Sequence, residues 1–297
     1  MQYDSLKTFV TLAEVNNFTK TSELLHISQP SVSLHIKNLE KEFGTELFVR
    51  SPKTVQITPS GEILYHRAKQ ILGLYEQAKT DILEHHQSIR GKLSIGASFT
   101  IGEYILPFLL ASVHKEFPEL ELEVIIGNTH EIAHHVRSFT VDIGLIEGQI
   151  NDKELSIRPF MEDELFVVAA PNHHLVKRKA NFADLQHQAW VVREEGSGTR
   201  EYWNHVIRSN ALAVTSVLTI SSNQGIKESI LNGMGLSLLS GSVIEKELKY
   251  GELAVIPLKG KCFKRTFSYI QSPTMKNKRS VENFIRILRE KHPVKRN

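Results

Sequence analysis

The chain has 297 residues, 41% of them hydrophobic and 23% charged, with one cysteine and a formal net charge of +3. That balance excludes a disordered or collagen-like chain and a small disulfide scaffold, and the length asks for two domains or more. The lone Cys262 makes no internal disulfide, no apolar run approaches the roughly 20 residues of a bilayer span, and the first residues carry no secretory pattern, so a cytoplasmic protein is expected.

Leu6, Phe9, Val10, Leu12 and Ala13 recur at helical spacing and predict a first helix over about 4–15. Asn16-Asn17 breaks it. Thr19 is expected to cap a short helix over 20–25, with Glu23 in its next turn. His26-Ile27-Ser28 is a tight connection, and Ser28 caps a third helix whose first turn tolerates Pro30. That helix is expected to bury Val32, Ile36, Leu39 and Phe43, with Pro30, Leu34, Lys37 and Lys41 opposite and a stop at Gly44. Two short helices on a three-residue turn make a helix-turn-helix. Residues 46–50 and 54–58 then predict two short strands around Ser51-Pro52-Lys53, a basic-tipped wing.

Residues 1–90 hold 10 Lys+Arg against 10 Asp+Glu, so bulk charge does not announce nucleic-acid binding and pattern must carry the argument. In a unit of this kind the second helix enters the major groove, with side chains near its N-terminus at base edges. Gln29, Ser31, Ser33, His35 and Lys37 offer donors and acceptors there, while Arg50 and Lys53 suit phosphates. A purely structural three-helix domain is the alternative. It accounts neither for the wing nor for the long element after it. Thr58 and Pro59 open a helix of about thirty residues without a breaker, with Ile63, Leu64, Ala68, Ile71, Leu72, Leu74, Tyr75, Ala78, Ile82 and Leu83 as its apolar positions. A helix this long reads as a linker and dimer seam, and a dimer reads two half-sites.

The run FTKTSELLHISQPSVSLHIKNLEKEFGTELFVRSPKTVQITPSGE resembles the N-terminal signature of LysR-type transcriptional regulators, and the order of elements along the chain is similar too. The resemblance implies DNA contacts from Thr19, Gln29, Pro30, Ser31, Ser33, Leu34, His35, Lys37, Arg50 and Lys53. Two positions depart from the family pattern: Leu34 stands where many members carry Arg, and Thr21-Ser22 where they carry a small Ala-Ala pair. Leu34 can touch a thymine methyl.

After Gly91 strands and helices alternate, which implies a parallel α/β sheet. Strands are predicted at 92–96, 120–126 and 143–146, with helices at 103–117 and 131–139. A second round places strands at 164–170, 190–193, 217–220 and 236–240, and helices from about 200, at 224–232 and at 242–248. A last strand at 267–271 and a helix at 280–291 close the chain. The resemblance implies a two-lobed, periplasmic-binding-protein-like module, lobe I over about 91–161 and 265–297 and lobe II over about 162–264, with crossings near Glu162 and Arg265. The organisation expected is thus a winged helix-turn-helix DNA-binding domain at 1–58, a linker and dimerisation helix at 59–90, and an effector-binding domain at 91–297.

In open α/β sheets ligands sit off the strand carboxyl ends, at helix starts. Small polar residues crowd those places here: Ser98-Phe99-Thr100, Asn128-Thr129, Gly196-Ser197-Gly198-Thr199 and Ser222-Asn223-Gln224. Any one of them alone reads as an ordinary cap or turn. Four in corresponding places point to an anion held by neutral dipoles, with Arg193 and Arg200 nearby. The effector set expected is Ser98, Phe99, Thr100, Asn128, Thr129, Gly196, Ser197, Thr199, Asn223 and Gln224. The runs IGASFTIGEYILP, IGNT and SSNQGIKESILNGMG look most like the sulfur-assimilation branch of the family, which implies an inorganic sulfur anion such as sulfite or sulfate. The resemblance further implies a homodimer or homotetramer on promoter DNA, with RNA polymerase as partner.

Two other readings stand beside this one. A solute-binding protein without a DNA role would need export. His130-Glu131-Ile132-Ala133-His134 matches the H-E-x-x-H of zinc peptidases, but a third ligand is required and Thr140 stands at the downstream position. No nucleophile elbow, P-loop or dinucleotide fingerprint is present, so no enzyme activity, metal or cofactor is expected. Residues 275–297 hold 8 Lys+Arg against 2 Asp+Glu and read as the solvated face of the last helix, whose apolar side is Val281, Phe284, Ile285 and Leu288.

Overall fold

Three short amphipathic helices build the N-terminal unit of the computed structural model, which describes residues 3–50, 55–84, 91–258, 262–273 and 278–292. The chain divides into two units, one over residues 1–86 with 137–140 and the other over 87–136 and 141–297. In the first, α1 (Tyr3–Val15), α2 (Phe18–Leu25) and α3 (Gln29–Phe43) bury Leu6, Phe9, Leu12, Ile36 and Leu39 against one another. The cap of α2 is Asn17 rather than Thr19: Asn16 turns the chain at φ 52°, and the Asn17 side chain accepts from the Lys20 N–H at 2.9 Å. Asn is as good a cap as Thr, and the turn at Asn16 brings it into place first. Thr21 and Ser22, buried in α2, send their hydroxyls back to the carbonyls of Asn17 and Thr19 at 2.8 and 2.7 Å, which satisfies the groups an alanine pair would lack. Ser28 caps α3 as expected, and Gly44 ends it at φ 65°. Phe43 keeps the phase of the buried stripe but is 46% exposed, because it lies in the final turn beyond the covered part of the helix.

Next, β1 (Phe48–Arg50) and β2 (Val55–Ile57) pair antiparallel, Phe48 opposite Ile57. The Glu40 carboxylate accepts from the Leu47 and Phe48 N–H groups at 3.1 and 3.4 Å, which ties the start of β1 to α3. Thr58 opens α4 (Pro59–Glu84) by accepting from the Gly61 N–H at 3.0 Å. The Tyr3 hydroxyl donates to Glu76 on α4 at 2.6 Å; burial and that carboxylate push its pKa up to about 12.

The second unit runs β3 (Gly91–Ser98), α5 (Phe99–Tyr104), α6 (Leu106–Glu116), β4 (Leu120–Gly127), α7 (Thr129–Arg137), β5 (Ile143–Glu147) and β6 (Ser156–Ala169). It continues through a 3-10 turn (Phe182–Leu185), β7 (Gln188–Val192), α8 (Gly198–Ser209), β8 (Val214–Thr219), α9 (Asn223–Leu231), β9 (Ser237–Ser240), α10 (Gly241–Tyr250), β10 (Ala254–Val255), β11 (Phe263–Gln271) and α11 (Arg279–Lys291). The helix expected at 103–117 is two helices. Pro107 lies in the first turn of α6, where a missing N–H costs nothing, and the chain breaks before it at Ile105. The helix expected at 131–139 starts earlier, at Thr129, because Asn128 caps it. The strand expected at 164–170 is the fourteen-residue β6; Arg158, Pro159, Glu162, Asp163 and Glu164 dilute the apolar signal of its first half.

The main sheet has the order β10-β6-β11-β5-β3-β4, with β9 also on β6. β3 runs parallel to β4 and β5, whereas β6 and β11 are antiparallel to their neighbours. A register shift falls between Phe267 and Ser268. Phe160 and Phe267 lie in a core with Leu93, Ile95, Leu106 and Phe284. Leu165, Val167 and Phe263 lie in a second core with Trp190, Trp203 and Leu238. The β6–β11 pair therefore passes from one core to the other at residues 162–164 and 264–266.

Candidate functional site

On α3 the side chains opposite the buried stripe divide by their partners. Gln29, Pro30, Leu34 and Lys37 are exposed, and Ser33 is half-exposed. Ser31 shares a hydrogen bond with the cap Ser28 at 2.8 Å. His35 Nδ1 meets the Thr8 hydroxyl at 2.8 Å; that hydroxyl donates to the Asp4 carbonyl, so His35 is the donor and faces α1. Thr19 is exposed in the first turn of α2. Arg50 ends β1, with its side chain outside what the structure describes, and Lys53 lies outside the described residues.

In the second unit, the polar segments at the strand ends come together in pairs. Ser98, at the N-terminus of α5, is fully buried and its hydroxyl has no hydrogen-bond partner. The same is true of Ser197, at the N-terminus of α8. Ser222 and Ser240, at the starts of α9 and α10, instead accept from backbone N–H groups in the ordinary way. Ser280, in the first turn of α11, is a third such hydroxyl; an unmet buried hydroxyl costs about 1–3 kcal/mol, and Ser98 and Ser197 are the two at the polar segments singled out above. Next to Ser98, Phe99 lies under the guanidinium of buried Arg193, 4.5 Å from it. Arg193 also pairs with Glu194 at 2.8 Å and donates to Asn223 at 3.2 Å; Asn223 in turn donates to Glu103 at 3.1 Å. Thr100 is buried beside Phe99.

A second group centres on Arg265. Its guanidinium pairs with Asp163 at 2.7 Å and Glu147 at 2.8 Å, and donates to the Thr199 hydroxyl at 2.8 Å. Ser240 donates to the other Asp163 oxygen at 2.6 Å. Two buried carboxylates share one cation here, and burial pushes the Asp163 carboxyl above its ordinary pKa against the pull of Arg265. Thr129 donates to the Glu147 carbonyl at 3.0 Å. Asn128 closes a reciprocal cap with Glu131, at 3.0 and 2.8 Å. Gly196, at φ 84°, lies against Asn128; a Cβ there would sit 3.2 Å from its amide oxygen. Gly198 is closer still, since a Cβ would meet the Glu147 carbonyl at 2.1 Å.

The structure thus joins Phe99 to Arg193 and Asn223, Asn128 to Gly196, and Thr199 to Glu147. It does not bring Gln224 into the group: that side chain is exposed and bonds along its own helix to Glu228 at 2.7 Å. Glu147, Asp163, Arg265, Glu103 and Glu194 are members that the polar-loop pattern passed over. Their signal in the sequence was a charge inside or beside an apolar strand, as in Ile143-Gly144-Leu145-Ile146-Glu147. His130, first residue of the zinc-like motif, faces Glu201 at 3.3 Å. Among the described residues no group of three His, Cys, Asp or Glu is placed to hold a metal, and no helix is long and apolar enough to cross a membrane.

Comparison with known proteins gives these groups their setting. A family model described as a bacterial regulatory helix-turn-helix protein, lysR family, matches residues 3–62, and a LysR substrate binding domain model matches residues 86–293. The HTH-type transcriptional regulator CysL of Bacillus subtilis is 56% identical over 294 residues, 98% of each chain. An uncharacterized regulator of Escherichia coli K12, YeiE, is 35% identical over 84% of each. Among solved structures, a full-length OxyR variant from Pseudomonas aeruginosa superposes with a TM-score of 0.76 at 24% identity, covering 97% of this chain and 95% of that one. CbnR, a LysR family regulator, superposes with a TM-score of 0.73 at 19% identity, covering 99% and 100%. These relatives and families are regulators and not enzymes, which removes the peptidase reading of His130 and His134. With both of its units matched and a full-length relative at that identity, the chain belongs to the LysR family of transcriptional regulators.

Proposed function

We propose that residues 1–58 read promoter DNA, that residues 59–90 link and dimerise, and that residues 91–297 sense a small sulfur oxyanion, sulfite or sulfate. The observation that carries the effector reading is the pair of buried, partnerless hydroxyls of Ser98 and Ser197. Around them the charges are already matched: Arg193 by Glu194, and Arg265 by Glu147 and Asp163. An incoming anion therefore relies on hydroxyl and backbone N–H donors, which favours a small ion that accepts hydrogen bonds on every side. A large apolar effector would leave those donors unmet. The relative at 56% identity carries the name CysL, which is in keeping with the same class. Asn128, Thr129, Thr100 and Asn223 complete the set, with RNA polymerase and a homotetramer on paired sites as the wider assembly. Regulation requires that the ion bind one arrangement of the protein more tightly than another, not merely that it bind.

The test is a thermal-shift panel on the purified chain with sulfite, sulfate, thiosulfate, phosphate and small carboxylates. A ligand at 100 times its Kd adds about 2.7 kcal/mol, visible as a rise in melting temperature. The expected outcome is a selective rise with sulfite or sulfate, lost in Ser98→Ala/Ser197→Ala. A rise that survives the double substitution moves the site elsewhere, and a rise with carboxylates alone overturns the sulfur class.

A further inference from the structure

From the outward face of α3 we infer that Leu34 selects a thymine at one position of each half-site by packing on its 5-methyl group. This rests on the DNA-binding reading above and adds which base feature is read and by what. Leu34 is 56% exposed on the face that carries Gln29, Ser33 and Lys37, one turn after Pro30. Among the described residues no core element covers it: the cluster inside the unit takes Ile36 and Leu39 from the opposite face. A groove of about 700 Å³ opens beside it, walled by Pro30, Leu34 and Lys37 of α3 and by Phe48 and Val49 of β1, with Glu40 and Glu46 also lining it. Val49 is also exposed, at 55%, so the groove offers an apolar strip between polar neighbours.

Among the base edges of the major groove only thymine presents a methyl group; the others present hydrogen-bond donors and acceptors. Leu34 has no donor to give to the O6 and N7 of a guanine, so a G·C pair opposite it would lose solvent contacts and gain nothing. A cation at the same position would prefer guanine. The exposed leucine therefore reverses the preference expected from arginine at that place, toward a T·A pair.

The experiment uses the full chain. An operator is first selected from a random duplex library, and each of its thymines is then replaced singly by deoxyuracil, which removes the methyl and nothing else. Burial of one methyl-sized group corresponds to about a four-fold change in affinity, and to about fifteen-fold when both half-sites are altered. The expected result is such a loss at one thymine per half-site for the unaltered protein, and none at that position for Leu34→Ala. Exchanging that thymine for 5-methylcytosine should weaken binding less than exchanging it for cytosine. Alanine at an exposed helical position leaves the fold intact, which thermal unfolding checks. Equal uracil sensitivity in the unaltered protein and Leu34→Ala overturns the inference, as does a sensitivity that disappears only in Pro30→Ala. A library from which no duplex is enriched overturns the DNA-binding reading itself, and the inference with it.

Discussion

Three polar groups, from β5, β6 and α8, meet on the guanidinium of Arg265. The cluster around it holds two carboxylates for one positive charge; burial raises the pKa of Asp163 against the pull of Arg265, and the Glu147 charge adds to the rise. The direction fixes a pH dependence. An unfolded aspartate titrates near its ordinary 3.8, while the folded one keeps its proton to a higher pH. The contribution of this group to stability is therefore full below 3.8 and is lost as the pH rises through the folded value. In urea unfolding of the full chain between pH 4 and 7, the stability of the unaltered protein minus that of Asp163→Asn should fall as the pH rises. A difference that grows with pH would mean instead that Arg265 keeps the carboxylate ionised throughout. Thr199 and Arg265 were singled out in the sequence, but their meeting with Glu147 and Asp163 was not legible there. The members of this cluster are 16 to 118 residues apart, and no periodicity links a charge on one strand to a charge on another. The polar helix starts were legible because each is local, which is why Ser98, Ser197 and Asn223 stood out in the sequence and Glu147 and Asp163 did not.

Elements were legible where one local rule decided them. Ser28, Gly44 and Thr58 cap or stop helices where their side chains or backbone freedom require it. Two competent caps lay side by side at Asn17 and Thr19, and only the left-handed turn at Asn16 chose between them. Apolar spacing ran on through Ile105, so the break before α6 was hidden although Pro107 marked it. For α3 the structure separates outward side chains by the task each can perform. Gln29 can meet a base edge as donor and acceptor at once, whereas Lys37 offers donors alone, on a flexible point charge that a phosphate satisfies as well as a base. Gln29→Ala should therefore cost about 1–3 kcal/mol on the selected operator and little on random DNA. Lys37→Ala should weaken both alike and reduce the slope of log affinity against log salt by roughly 0.9. Salt titrations followed by fluorescence anisotropy separate the two outcomes; equal loss for Gln29→Ala on both DNAs would remove it from base reading.

At the scale of the whole molecule, α4 presents Ile63, Ile71, Leu74 and Tyr75 exposed along one 26-residue helix. Tyr75 meets Tyr3 of its own unit at 4.5 Å between ring centroids but stays 48% exposed, and an apolar strip of this length is a surface that a second copy would bury. Native mass measurement should find dimers or tetramers, and Ile71→Glu/Leu74→Glu should lower the order and uncouple the two half-sites, seen as a loss of affinity for paired sites but not for single ones. An unchanged mass in the double variant would place the seam elsewhere. Inside the second unit, the passage of β6 and β11 through both cores limits what an effector can do. The two strands stay joined by a ladder of backbone hydrogen bonds on either side of the crossing, so pulling the cores apart would sever that ladder. Torsion about the strand pair leaves the ladder intact, and the register shift beside Phe267 is the kind of irregularity that eases local twisting. A ligand that bridged the two cores would therefore act by turning one against the other, like a key in a stiff lock, rather than by parting them.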